Sequence, residues 1–271
     1  MEYHLPIEFV KDFQAKYGKE AIIDLKKEIY SKTLARGIAP SCELGMETLA
    51  KYNVGCVPER MSSKIVNVYE IVKKAAEKFR MPIPKIVVSN AMMPNAAATG
   101  PGPNHGTMLI TTGLLVQLKD EEVLSVVGHE LGHLQGRDSL FLFALTSAEF
   151  LLRFFVLLPI FLISPFIYIM VAMGGVYFVS KFFEARADLL SAINIGQPKM
   201  LAGALEKIGF LKIAYEQVKA YRLQSWMIWD PHPPTYFRVN RLRGLVTPVR
   251  VKHPLIRSAK DVVHGFRALF N

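Results

Sequence analysis

The sequence predicts an α+β fold, mainly α-helical, with a small mixed sheet and a membrane-embedded helical hairpin. Three observations carry this. Most of the chain has apolar residues at helical spacing among charges. Two short segments, 85–89 and 107–112, are β-branched and strand-like, with a third extended-looking segment between them. One run of 27 residues, 154–180, contains no Asp, Glu, Lys or Arg, which is the mark of a membrane segment.

In chain order, residues 8–31 read as an amphipathic helix with Phe9, Phe13, Tyr17, Ile22, Leu25 and Ile29 on its apolar side. Residues 32–60 carry turn signals at Gly37, Pro40, Gly45, Gly55 and Pro58. A helix is expected from Ser62 to about Phe79, stopped by Met81-Pro82. Lys85–Ser89 and Thr107–Thr112 are strands, and Asn95–Gly100 is small and extended, ahead of the loop Pro101-Gly102-Pro103-Asn104. Helical structure starts at Gly113–Gln117. Asp120 is the expected N-cap of a helix reaching Gly136. From Ser139 to Phe183 the chain is apolar, with Glu149, Arg153 and Lys181 as its only fully charged residues.

The chain has 271 residues, enough for one full domain and its own core. Hydrophobic residues make up 51% and mean hydropathy is +0.23, which excludes a disordered or fibrous protein. The two cysteines, Cys42 and Cys56, cannot form a disulfide framework or a four-thiolate metal site. The first residues lack a basic region followed by an apolar core, so no signal peptide is expected. The net charge is +10, and residues 184–271 hold 14 Lys/Arg against 6 Asp/Glu. No finger, aromatic–basic platform or recognition helix accompanies that charge, so nucleic acid is not an expected partner. Attraction to anionic lipid headgroups accounts for it better.

The chemistry centres on His129-Glu130-Leu131-Gly132-His133. Positions i and i+4 share a helical face, so both imidazoles can reach one metal ion. Zinc lowers the pKa of its water, and Glu130 stands where it can take that proton. Val123, Leu124, Val126, Val127 and Leu131 make this a buried helix. Gly128 and Gly132 fit a place where backbones or substrate approach closely. A catalytic zinc needs a third protein ligand and an open position. Glu184-Ala185-Arg186-Ala187-Asp188 repeats the i, i+4 spacing with carboxylates. Glu184 is the candidate ligand, and Asp188 a candidate partner for a ligand histidine's other nitrogen.

Several stretches, in order, resemble the HtpX and CAAX-prenyl-protease family of integral-membrane zinc metallopeptidases, which are gluzincins with a zincin-like fold. Asn95-Ala96-Ala97-Ala98-Thr99-Gly100 is similar to the family's edge segment, and Thr111-Thr112-Gly113-Leu114-Leu115 to the run before its active-site helix. His129–His133 resembles its zinc motif, Glu184–Asp188 its Glu-x-x-x-Asp, and Asp230-Pro231-His232-Pro233-Pro234-Thr235 with Arg238 its late His-Pro motif. HtpX-like members usually begin with two transmembrane helices, whereas residues 1–60 here are mostly polar. Residue 185 is Ala where an aromatic is more usual.

The resemblance implies a zinc endopeptidase holding one Zn2+ per chain on His129, His133 and Glu184, with Glu130 as the base. Asn95, Ala96, Ala97 and Ala98 would offer a sheet edge to an extended peptide, unless this is an ordinary loop. His232 would assist catalysis from a proline-stiffened segment, and Arg238 would pair with Asp188; the bland alternative is a turn with a solvated histidine. The expected organisation is a helical extension over 1–60, a catalytic domain in two parts, 61–138 and 184–271, and a membrane insert over 139–183. Both ligand sets must end on one side of the bilayer, so the insert crosses an even number of times. It makes two crossings, about Ser139–Leu158 and Ile160–Phe183, or it is a re-entrant hairpin broken at Pro159 and Ser164-Pro165. A Glu149–Arg153 pair would lower the cost of charge there, and the basic tail points to a cytoplasmic catalytic domain. The expected substrates are unfolded or damaged membrane proteins. Prenyl-peptide cleavage and a catalytically silent membrane adaptor are the alternatives. Oligomeric state cannot be read from the sequence.

Overall fold

The computed structural model describes residues 7–36, 42–53, 66–91 and 93–270. The chain divides into two compact units, Met1–Ile65 and Val66–Asn271. In the first, α1 (Ile7–Lys32) and α2 (Cys42–Leu49) close around Phe13, Ile22 and Leu25, and Tyr17 donates its hydroxyl to the Tyr52 carbonyl at 2.6 Å. The helix expected over 8–31 is interrupted at Gly18, whose φ of +86° is a conformation side-chain-bearing residues avoid. The turn signals at Gly37, Pro40, Gly55 and Pro58 lie outside the described residues, while Gly45 falls inside α2.

The second unit starts with α3 (Val68–Phe79). It begins later than Ser62: Asn67 caps it by accepting from the Glu70 N–H. Residues 62–65 of the expected helix lie outside the described residues. It ends at Arg80, which turns left-handed at φ +54° just ahead of Met81-Pro82. Then come β1 (Lys85–Ser89), β2 (Ala96–Thr99) and β3 (Thr107–Thr111). The sheet is mixed, in the order β1-β3-β2, with β1 parallel and β2 antiparallel to β3. The small residues of β2 therefore form a sheet edge, as Ala97 opposite Leu109 records.

After α4 (Thr112–Gln117) comes α5 (Asp120–Gly136), the central helix, packed by α3, β2 and two later helices. Asp120 is its first turn rather than its cap. Glu122 reaches back instead, accepting from the Lys119 N–H at 2.8 Å. The main core gathers here: Val72, Phe79, Met108, Ile110, Val127 and Leu131 are fully or nearly buried.

The apolar insert forms three helices rather than two: α6 (Asp138–Phe155), α7 (Leu158–Ile163) and α8 (Pro165–Asn194). Pro159 and Pro165 each fall in a first helical turn, where a missing N–H costs nothing and the preceding helix cannot continue. Glu149 and Arg153 pair, with bonds of 2.5 and 3.1 Å. Among the described residues one helix, α8, is long and apolar enough to cross a membrane. Its first half and the ends of α6 and α7 leave large apolar side chains uncovered, Phe166 by 74%, Phe155 by 81% and Ile163 by 85%. Its second half dives into the core against α5. Small residues allow this contact. A Cβ at Gly132 would sit 3.0 Å from the Ala187 Cα, and one at Gly128 would sit 2.5 Å from Ile195 Cγ1. Five more helices complete the unit: α9 (Pro198–Ile208), α10 (Phe210–Glu216), α11 (Lys219–Met227), α12 (Thr235–Arg243) and α13 (Pro254–Arg267).

Candidate metal centre

α5 places His129 and His133 one turn apart on a single face, their rings edge to face with centroids 4.8 Å apart. Their Nε2 atoms lie 3.2 Å from each other. α8 crosses beside them and brings in Glu184, with Oε2 3.4 Å from His129 Nε2 and Oε1 3.3 Å from His133 Nε2. One ligand atom from each of the three residues falls within 4.8 Å of the other two.

The outer nitrogens of both imidazoles are occupied. Asp188 Oδ1 stands 2.8 Å from His129 Nδ1, and Asp138 Oδ2 stands 2.8 Å from His133 Nδ1. Each aspartate thereby holds the proton on Nδ1 and leaves the Nε2 lone pair facing the centre. Asp188 is itself gripped by Arg238, through Nε at 2.9 Å and a terminal nitrogen at 2.7 Å. Asp138 is paired with Arg186.

The donor set fits a divalent cation of the zinc type. Two imidazoles and one carboxylate converge, and Glu184 Oε2 is buried with no hydrogen-bond partner. Burial alone would raise the Glu184 pKa, but His133 and His232 outweigh it and hold the carboxyl well below its usual range. Burial would lower His129 and His133, yet the surrounding carboxylates raise both.

Glu130 points the other way, toward the sheet. Its Oε2 accepts from the Ala98 N–H at 2.8 Å. Burial pushes its pKa up, so its carboxylate is a better proton acceptor than a solvated one. The same bond shows how β2 presents its edge. Asn95 is tied to β3, its carbonyl accepting from the Thr111 N–H at 3.0 Å. By the two-residue period of a strand, the backbone groups of Ala96 and Ala98 face away from β3, on Glu130's side.

His232 stands at the mouth, half-exposed, with Nε2 3.5 Å from Glu184 Oε2. Asp230 fixes it, accepting from its backbone N–H at 2.9 Å and lying 2.8 Å from its Nδ1. Asp230 is anchored in turn by Lys212 at 2.6 Å and, through its carbonyl, by Lys181 from α8. Glu216, fully buried, accepts from the N–H groups of Thr235 and Tyr236 at 3.1 and 2.8 Å and so starts α12, which carries Arg238.

The structure brings His129, His133, Glu184, Asp188, Arg238 and His232 together, with Glu130 beside them bonded to Ala98; Asn95, Ala96 and Ala97 lie along the same edge segment as Ala98, and Asn95 is tied to β3. Asp138, Arg186, Lys181, Lys212 and Glu216 were not anticipated. Only Asp138 had a visible signal, a carboxylate just past the end of the zinc-motif helix.

Comparison with known proteins agrees with this geometry. Residues 63–246 match the family described as Peptidase family M48. Proteins named "Protease HtpX homolog" are similar. The one from Thermodesulfovibrio yellowstonii is 40% identical over 92 residues, 34% of this chain and 32% of the relative. Those from Caldanaerobacter subterraneus subsp. tengcongensis and Thermoanaerobacter pseudethanolicus are 29% and 26% identical, each over 73% of this chain and 78% of its own length. The chain belongs to peptidase family M48 and is an HtpX-like, membrane-associated metalloprotease.

Proposed function

We propose that this M48 peptidase is a zinc-dependent endopeptidase that cleaves extended stretches of unfolded or damaged membrane proteins at the bilayer surface. One observation carries the reading: two Nε2 atoms and an unpartnered Glu184 oxygen converge beside a buried carboxylate, Glu130, that is not among them. His129, His133 and Glu184 would hold one Zn2+. When bound, the ion supplies a Lewis acid for the scissile carbonyl and acidifies a water.

The chain's own groups do the rest. Ala96 and Ala98 accept an extended peptide as an added strand, and their methyl groups leave room for its side chains. Glu130 takes the proton of the attacking water and delivers it to the leaving amine. His232, aimed by Asp230, donates to the developing oxyanion. Asp188 and Arg238 keep His129 in its working tautomer.

The two ends of the insert return to one centre, since α5 before it and α8 after it both supply ligands. That supports an even number of crossings, and two crossings or a re-entrant loop both satisfy it. The basic residues 184–271 support a cytoplasmic catalytic side. The deciding experiment is cleavage of casein in detergent by wild type and Glu130→Gln, with zinc content measured on both. We expect full zinc and cleavage reduced to background. Near-wild-type cleavage by the variant would remove Glu130 as the base.

A further inference from the structure

We propose that the α10–α11 segment, Phe210 to Trp229, is a second membrane-contact element that lies in the lipid headgroup layer. Phe210 is 70% exposed and Leu211 82%, and Val218, Met227, Ile228 and Trp229 are uncovered as well. Single exposed apolar residues are ordinary, but so many in one short segment of a folded unit are not.

Continuity and charge identify lipid as the occupant. Trp229 stacks on Tyr177 of α8, the rings 10° from parallel with centroids 6.3 Å apart. Tyr177 belongs to the uncharged run of that helix, and Lys181, one turn further on, is bonded to the carbonyl of Asp230 next to Trp229. The segment thus meets the apolar hairpin where it emerges into the charged part of the fold. Trp and Tyr at that level, beside Lys, are the residues that favour a membrane–water boundary. The segment's own charges are mostly basic at the surface: Lys219 is exposed, Lys212 is exposed though paired with Asp230, and Arg222 is half-buried, whereas the segment's sole acid, Glu216, is buried beneath α12. Apolar side chains among accessible cations suit an anionic interface. A soluble peptide or a second copy of the chain would not require the alignment with the hairpin.

The segment also holds the active-site mouth. Lys212 anchors Asp230, and Glu216 starts the helix of Arg238. Seating it in headgroups would hold the peptide-binding edge at the bilayer surface.

The test is nitroxide depth measurement on the full chain in phosphatidylcholine–phosphatidylglycerol vesicles, with Cys42 and Cys56 replaced by Ser. Single labels go at Phe210→Cys and Leu211→Cys, with Val171→Cys as the hairpin reference and Val246→Cys as the aqueous one. We expect relaxation at 210 and 211 by oxygen to exceed that by a water-soluble nickel chelate several-fold relative to 246, at a depth shallower than 171. Nickel access equal to that at 246 overturns the proposal. So does exclusion of both reagents, the signature of a protein partner. If 171 itself reads as aqueous, the proposal falls together with the membrane insertion of the hairpin.

Discussion

The Arg238 guanidinium grips the Asp188 carboxylate with two hydrogen bonds, of 2.9 and 2.7 Å, and that carboxylate lies 2.8 Å from His129 Nδ1. All three are buried. The fork holds Asp188 ionised, well below its usual carboxylate range despite burial. Asp188→Asn should weaken zinc affinity by about 10–100-fold, measured by chelator competition. Arg238→Lys should also weaken it, because an ammonium cannot reproduce two parallel bonds. Unchanged affinity in both variants would show that His129 needs no orienting partner.

Glu184 offers a buried oxygen that no hydrogen bond occupies. Glu184→Ala should therefore leave purified protein with substoichiometric zinc, seen by elemental analysis. A fully loaded and active variant would take Glu184 out of the ligand set.

His232 is assigned to the transition state rather than to the metal, since a fourth protein ligand would close the open position. His232→Phe should lower turnover by about 100- to 1,000-fold, given about 2.7–4 kcal/mol for a lost oxyanion donor in comparable sites. Zinc content should not change. Loss of zinc instead would make His232 a ligand.

Glu122 stabilises the start of α5, accepting from the Lys119 N–H at 2.8 Å and from Lys207 at 2.7 Å. Burial would raise its pKa, but Lys207 and the Lys119 N–H outweigh this and lower it. A lowered folded pKa means stabilisation that is present above the ordinary carboxylate range and lost as pH falls through it. Glu122→Ala should cost about 1 kcal/mol near neutrality, like other lost caps. The gap between variant and wild-type inactivation midpoints should narrow between about pH 6 and pH 3. A gap independent of pH would mean that the carboxylate's charge contributes nothing.

The candidate ligands and Asp188 were legible because they repeat at helical spacing. His129/His133 and Glu184/Asp188 each span one turn, so a sequence read in steps of four finds them. Asp138 escaped because it lies beyond the helix end, where Arg137 turns left-handed at φ +55° and swings the chain back toward His133. No periodicity carries across such a turn. Lys181 and Glu216 were hidden for a different reason. Each satisfies backbone groups of a segment distant in sequence, and a lone charged residue carries no sign of its partner. The insert's apolarity was plain. Its division into three helices followed from two prolines, which mark breaks but not how the chain continues after them.

The split of the donor set across α5 and α8 has a consequence for how the enzyme comes into being. Both histidines leave the ribosome before the apolar hairpin, and Glu184 leaves after it. At about 5–20 residues per second, a nascent chain spends seconds with two of its three donors and no carboxylate to complete them. Completion waits until the hairpin has folded back and α8 has reached the surface of α5. Hydrolytic competence thus arrives only after the chain has been made past Glu184 and the two helices have met, so a shorter nascent chain would be harmless to its neighbours.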